Sequence, residues 1–121
     1  MEKEILKNLF KSGINNLFSK IPEYSDNEIT EVIFCNDLIR IERIVSYGFA
    51  SPENFWYNQD SDEWVILLEG NASIEFKNDE IIDMKKGDYI FIPANREHRV
   101  KYCSKEPNCL WLAVHFNFKK Q

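Results

Sequence analysis

The sequence predicts an all-β fold, a sandwich or barrel of short strands preceded by a short N-terminal helical segment. Three observations carry this. From Glu28 onward apolar and polar residues alternate with a period of two. The runs are short and near-regularly spaced, as in sandwiches and barrels, and they are separated by turn-forming groups: Asn36-Asp37, Gly48, Asp60-Ser61-Asp62, Gly70-Asn71, Asn78-Asp79, Lys86-Gly87 and Pro93-Ala94-Asn95. Finally, 121 residues with 44% hydrophobic and 14% aromatic content are enough for one packed core and leave no room for a second domain.

Taken in order, Ile5, Leu6, Leu9, Phe10, Ile14, Leu17 and Phe18 recur at helical spacing. Residues 3–19 therefore read as one or two amphipathic helical turns interrupted near Gly13, and Pro22 ends helical character. A single apolar stripe must be buried somewhere, and the following β region is the nearest surface, so residues 1–22 are expected to cap a barrel spanning 28–118. Strands are expected at 29–35, 38–47, 54–58, 63–69, 72–77, 80–84, 88–92, 98–102 and 109–118. The runs Trp64-Val65-Ile66-Leu67-Leu68 and Leu110-Trp111-Leu112-Ala113-Val114-His115-Phe116 are apolar on both faces. One face of each can fill the barrel while the other meets a second layer or another subunit, so a homodimer is expected.

A net charge of -5 disfavours partners that are nucleic acids or anionic membranes. The opening Met1-Glu2-Lys3-Glu4 has mixed charge, and no later stretch is long and apolar enough to span a bilayer, so a cytoplasmic location is expected. Cys35, Cys103 and Cys109 form neither a CxxC pair nor an even framework and read as free thiols.

The chemistry concentrates in two half-motifs. Tyr57 and Gln59, two apart, project together, and Glu63 follows the Asp60–Asp62 turn. His98 opens a strand after the turn at 93–97, and its alternation with Val100 and Tyr102 against Arg99 and Lys101 points it inward. An inward His and Glu are the start of a metal site or of a general acid/base pair, which makes Glu63 and His98 the catalytic candidates. Simpler roles compete. Glu63 could hold a turn amide, and His98 could be a core histidine bonded to Glu63 or Tyr57. Trp56 and Tyr57 read as packing, and Arg43, sharing a face with Ile41 and Val45, reads as an ion-paired barrel residue.

The spacing of Glu63 and Gly70, then of Gly87, Pro93 and His98, resembles the two motifs of the cupin superfamily. Residues 16–116 look like a small single-domain bacterial subgroup in which Trp56-Tyr57-Asn58-Gln59 and Glu63-Trp64-Val65 replace the two-histidine motif. The resemblance implies a double-stranded β-helix, or jelly-roll, barrel. In metal-binding cupins the first motif supplies two histidines and a glutamate and the second one histidine. Here Tyr57 and Gln59 stand at the two histidine positions, Asn95 replaces a glycine and Tyr102 an asparagine. The ligands that the resemblance implies for a divalent ion (Zn, Fe, Mn or Ni) are therefore Glu63, His98 and Gln59, the last a poor donor.

His115 enters only if the last hairpin pairs Tyr102 with Trp111, which sets His98 opposite His115. Pairing Tyr102 with Leu110 instead buries Leu110, Leu112 and Val114 and turns His115 away; this register buries more apolar surface and is the expected one. The functional expectation is a small-molecule-binding barrel with Tyr57, Gln59, Glu63 and His98 in reach of the ligand and an atypical divalent metal site among them. The alternatives are a metal-dependent or acid/base enzyme acting on a small metabolite, and a metal-free sensor or structural module.

Overall fold

A computed structural model describes residues 4–7 and 13–118. Nine strands are present among them: β1 (Glu4–Lys7), β2 (Ile29–Cys35), β3 (Ile39–Ser46), β4 (Asp62–Glu69), β5 (Asn71–Phe76), β6 (Ile81–Lys85), β7 (Tyr89–Ile92), β8 (His98–Cys103) and β9 (Cys109–Phe116). They form two sheets, one ordered β1-β2-β3-β9-β4-β7 and the other β6-β5-β8. Apart from the parallel β1–β2 pair, every ladder is antiparallel.

The turns are closed by the residues the sequence singled out. Asn36 Oδ1 accepts the amides of Leu38 and Ile39, both at 2.9 Å, and so joins β2 to β3. Asn95 adopts φ 65°, a left-handed conformation that glycine reaches without strain. Asparagine tolerates it better than most residues, so the turn closes with Asn95 in place.

The core lies between the sheets. Val65, Leu67, Ile74, Phe76, Met84, Ile92, Trp111 and Ala113 are all buried there, with Cys103 and Cys109 among them as small apolar groups. All three cysteines are free, as expected. No helix among the described residues is long and apolar enough to cross a membrane.

Three expectations need correction. The described part of the N-terminal segment is not helical: residues 4–7 pair with β2, and 13–19 run as bends and a turn. Gly13 at φ 96° is incompatible with a right-handed helix there, while positions 8–12 lie outside the described residues. Arg43, on the outer face of β3, donates to the carbonyls of Leu17 (2.9 Å) and Ser19 (2.7 Å) and pairs with Glu31.

Residues 54–58 are not a strand either. Pro52, a turn bond from Phe55 N to Pro52 O (3.1 Å) and Asn54 at φ 68° break the ladder, leaving Tyr57 in an isolated bridge to His98. Finally, β8 and β9 form no hairpin. The connection between them crosses from one sheet to the other, so β8 pairs with β5 while β9 inserts between β3 and β4. Both registers weighed for His115 are thereby void, and His115 faces the interior.

Candidate functional site

The ladder registers assemble the site. Arg40 of β3 lies opposite His115 of β9, His115 opposite Glu63 of β4, and Glu63 opposite Ile92 of β7. Side chains directly opposite in antiparallel strands share a face, so these four form one row across the inner face of the larger sheet. Glu42, Ala113, Val65 and Ile90 form the next row. The facing sheet contributes His98 and Val100 from β8 and Ile74 from β5. Two backbone bonds between Tyr57 and His98 (2.7 and 3.1 Å) and one from Asn95 N to Gln59 O (2.7 Å) hold the 57–59 segment over the opening. A cavity of about 110 Å³ remains, with Tyr57, Gln59, Glu63, His98 and His115 all on its wall.

A continuous polar chain crosses this wall. Arg40 Nε donates to Glu42 Oε2 (2.9 Å), and Glu42 Oε1 lies 3.3 Å from His115 Nε2. Gln59 Nε2 lies 3.5 Å from His115 Nδ1 and donates to Glu63 Oε1 at 2.9 Å. That oxygen is 3.8 Å from His98 Nε2, and His98 Nδ1 is 2.9 Å from the carbonyl of Arg96.

The partners assign the tautomers of the neutral rings. A carbonyl only accepts, so Nδ1 of His98 carries the proton and its Nε2 presents a lone pair to the cavity. An amide nitrogen only donates, so Nδ1 of His115 accepts and its Nε2 carries the proton, 3.3 Å from Glu42 Oε1. Burial, reinforced by the charge of Glu28, pushes the Tyr57 phenol up to about 12, so it keeps its proton at neutral pH. The Tyr57 and His98 rings lie 5.7 Å apart between centroids.

The expected residues thus converge: Tyr57, Gln59, Glu63 and His98 share one cavity with His115. The metal roles fit less well. Gln59 turns its non-ligating nitrogen toward Glu63 and His115, and both ring nitrogens of His115 are engaged. His98 Nε2 and Glu63 are left as facing donors, and among the described residues no three His, Cys, Asp or Glu side chains are grouped to hold an ion. Two donors fall short of the three or four protein ligands of a stable Zn or Fe site.

Sequence reasoning missed Glu28, Arg40 and Glu42 on the same wall. The signal was present: Arg40, Glu42 and Ile44 alternate along β3 opposite a strand apolar on both faces, which places two charges inside.

Comparison with known proteins matches a cupin domain model over residues 44–115. The solved structure of a proposed mannose-6-phosphate isomerase of Ralstonia eutropha JMP134 is 38% identical, covers 87% of this chain and 98% of its own, and superposes with a TM-score of 0.83. A cupin superfamily protein of Desulfitobacterium hafniense DCB-2 is 21% identical at a TM-score of 0.73, covering 92% and 96% of the two chains. YdbB of Bacillus subtilis strain 168, described as uncharacterised, is 36% identical over 53 residues. Those are 44% of this chain and 47% of YdbB, so the match spans about half of that relative.

Proposed function

The chain belongs to the cupin family, and from that premise we propose that it binds a small polar molecule in the mouth of its barrel. One observation carries the reading. His98 Nε2 and Glu63 Oε1, from different sheets and both buried, face each other at 3.8 Å on the wall of the cavity while their other contacts hold them in place. Positioned polar atoms on a largely apolar, concave wall are the common form of a ligand site. The test is thermal stabilisation of the purified chain by a panel of small metabolites, with elemental analysis of the same sample. Stabilisation that Glu63→Gln and His98→Leu abolish supports the reading; a panel without effect on the native chain overturns it. A divalent ion retained through chelator-free purification would favour the metal-site alternative.

A second reading is acid/base catalysis, favoured by the bare Nε2 of His98 beside a carboxylate. Turnover lost in His98→Gln with ligand binding retained would establish it. The sugar phosphate implied by the name of the Ralstonia relative finds less support. The one guanidinium on the cavity wall, Arg40, is already bonded to Glu42.

We propose further that the chain acts as a homodimer in the cytoplasm. Support for the dimer comes from an aromatic strip on the outer face of the larger sheet. Trp64 packs on Tyr89 with centroids 5.4 Å apart, Phe91 on Phe116 (6.3 Å) and Phe116 on Phe118 (5.5 Å). Tyr89 and Phe91 are 64% and 51% exposed. The free thiols fit a reducing compartment.

A further inference from the structure

Two of the three free cysteines meet at the end of the barrel away from the mouth. Cys103 closes β8 in the smaller sheet and Cys109 opens β9 in the larger one, whereas His98 and His115 lie toward the far ends of the same two strands. Only residues 104–108 separate the two thiols, and that loop is closed on itself: Ser104 N donates to Asn71 O (2.8 Å) and Ser104 Oγ to Pro107 O (2.6 Å). Both sulfurs are thereby held in place. Cys109 Sγ lies 3.3 Å from Asn71 O and 3.7 Å from Ser104 Oγ, and the two thiols are hydrogen-bonded to each other. Gly70 keeps the space open, since a Cβ there would lie 2.9 Å from Cys109 Sγ.

The pair is asymmetric. Cys109 is fully buried, while Cys103 keeps 4% of its surface. The hydrogen bond from Cys109, joined by the backbone amides of Gly48 and Cys109, holds the Cys103 thiol below its ordinary range against the effect of burial. The same bond and burial push the Cys109 thiol up. A thiolate is the form that attacks an oxidant, so Cys103 reacts first and Cys109 is the thiol placed to resolve it. Packing alone calls for neither donors around a sulfur nor a second thiol in contact with it.

We propose that Cys103 and Cys109 form a peroxide-responsive dithiol, which closes to an intramolecular disulfide and so staples the two sheets together. The Cys103 thiolate attacks one oxygen of hydrogen peroxide and the O–O bond breaks. Hydroxide leaves and takes back the proton that Cys103 had released, giving water and a sulfenic acid at Cys103. The Cys109 sulfur then attacks the Cys103 sulfur, the S–O bond breaks, and the Cys109 proton leaves with the oxygen as a second water. Two thiols and one peroxide thus give one disulfide and two waters, the peroxide taking up the two electrons that the sulfurs lose.

The test uses the whole chain carrying Cys35→Ser, an exposed position, reduced, freed of reductant and treated in the native state with a small excess of hydrogen peroxide. Alkylation in denaturant is then expected to find both remaining thiols lost, with an intact mass about 2 Da below that of the reduced chain, and dithiothreitol to restore them. Trypsin cuts after Lys105, so the bridge joins peptides 102–105 and 106–119. With Cys109→Ala added, dimedone should capture a sulfenic acid at Cys103; with Cys103→Ala added, Cys109 should stay a free thiol. Two thiols that survive the peroxide overturn the proposal, as do a bridge between chains, irreversible oxidation with gain of oxygen, or a bridge that forms only once the chain is unfolded. Dimedone capture at Cys109 rather than at Cys103 overturns the order of attack. The mass readout keeps both buried cysteines in place and decides the proposal even if Cys103→Ala or Cys109→Ala fails to fold.

Discussion

His115 stands directly opposite Glu63 in the β4–β9 ladder, yet no direct bond joins their side chains; the amide of Gln59 bridges them. His115 Nε2 turns instead to Glu42, 3.3 Å away. Gln59 is thus a hydrogen-bond donor that keeps a buried carboxylate and a buried imidazole apart.

Replacing it should expose that role. Gln59→Leu removes the 2.9 Å bond to Glu63 and leaves a buried carboxylate short of a donor. A hydrogen bond to a charged group contributes roughly 1.5–3 kcal/mol, and Gln59 is only half-buried, so a loss of about 1–2 kcal/mol in urea unfolding is expected. Combining it with Glu63→Gln should cost less than the two single losses together, because the two residues share one bond. Additive losses would show that Gln59 acts by packing alone.

The alkaline limb of stability should report Tyr57. A phenol that titrates near 10 unfolded and near 12 folded stabilises the native chain fully below pH 10, and that contribution disappears as pH climbs through 12. Two pH units correspond to roughly 2.7 kcal/mol, which partial exposure reduces to about 1–2 kcal/mol. Tyr57→Phe should therefore lose less stability than the native chain between pH 10 and 12, with one fewer phenolate absorbing above that range. Identical slopes would contradict the assignment.

How much of this was legible depends on whether a signal was local. The turn at Asn36-Asp37 and the glycine turns are local, so eight of the nine expected strands coincide with observed ones to within a few residues. The convergence of Tyr57, Gln59, Glu63 and His98 was legible through the half-motif spacing. His115 was not, because its orientation depends on which sheet β9 joins, a choice made by long-range pairing with β3 and β4 rather than by the adjacent turn. The N-terminal segment misled for the opposite reason: its helical spacing is real in sequence, but pairing with β2 takes residues 4–7 into a sheet.

The thiols give a third expectation. Cys35 is exposed while Cys103 and Cys109 are buried, and none is bridged. Thiol titration of the native chain should count one fast-reacting group, and titration in denaturant without reductant should count three. A denatured count of one would mean a disulfide joins Cys103 to Cys109.

The dimer proposal predicts a two-chain mass by light scattering. Tyr89 and Phe91 sit on an edge strand and are more than half exposed, so charging them should oppose burial against a second copy while leaving the interior untouched. Tyr89→Lys with Phe91→Lys is expected to yield a monomer with unchanged far-ultraviolet dichroism. A monomer mass for the native chain over a wide concentration range would dismiss the proposal.

Two glycines separate backbone strain from crowding. Gly70 and Gly87 hold nearly the same conformation, φ 94° and 92°, so a side chain at either adopts a left-handed backbone at a cost of roughly 1–2 kcal/mol. Their surroundings differ. A Cβ at Gly87 meets nothing within 4 Å, whereas at Gly70 it would lie 2.8 Å from Asn108 O, 2.9 Å from Cys109 Cα and 2.9 Å from Cys109 Sγ. Two of those atoms are backbone, held where β9 starts beside β3, with Cys109 opposite Ser46, so they cannot move without disturbing the strand that carries Trp111 and His115 into the cavity. Overpacking of this kind adds about 1–3 kcal/mol. Gly87→Ala should therefore lower the unfolding free energy by about 1 kcal/mol, and Gly70→Ala by about 3 kcal/mol or more. Gly70→Ala should also weaken ligand binding at the mouth, because the shift in β9 reaches His115. Equal losses at the two sites would mean that β9 yields freely at Cys109, and the site would then not depend on this close approach.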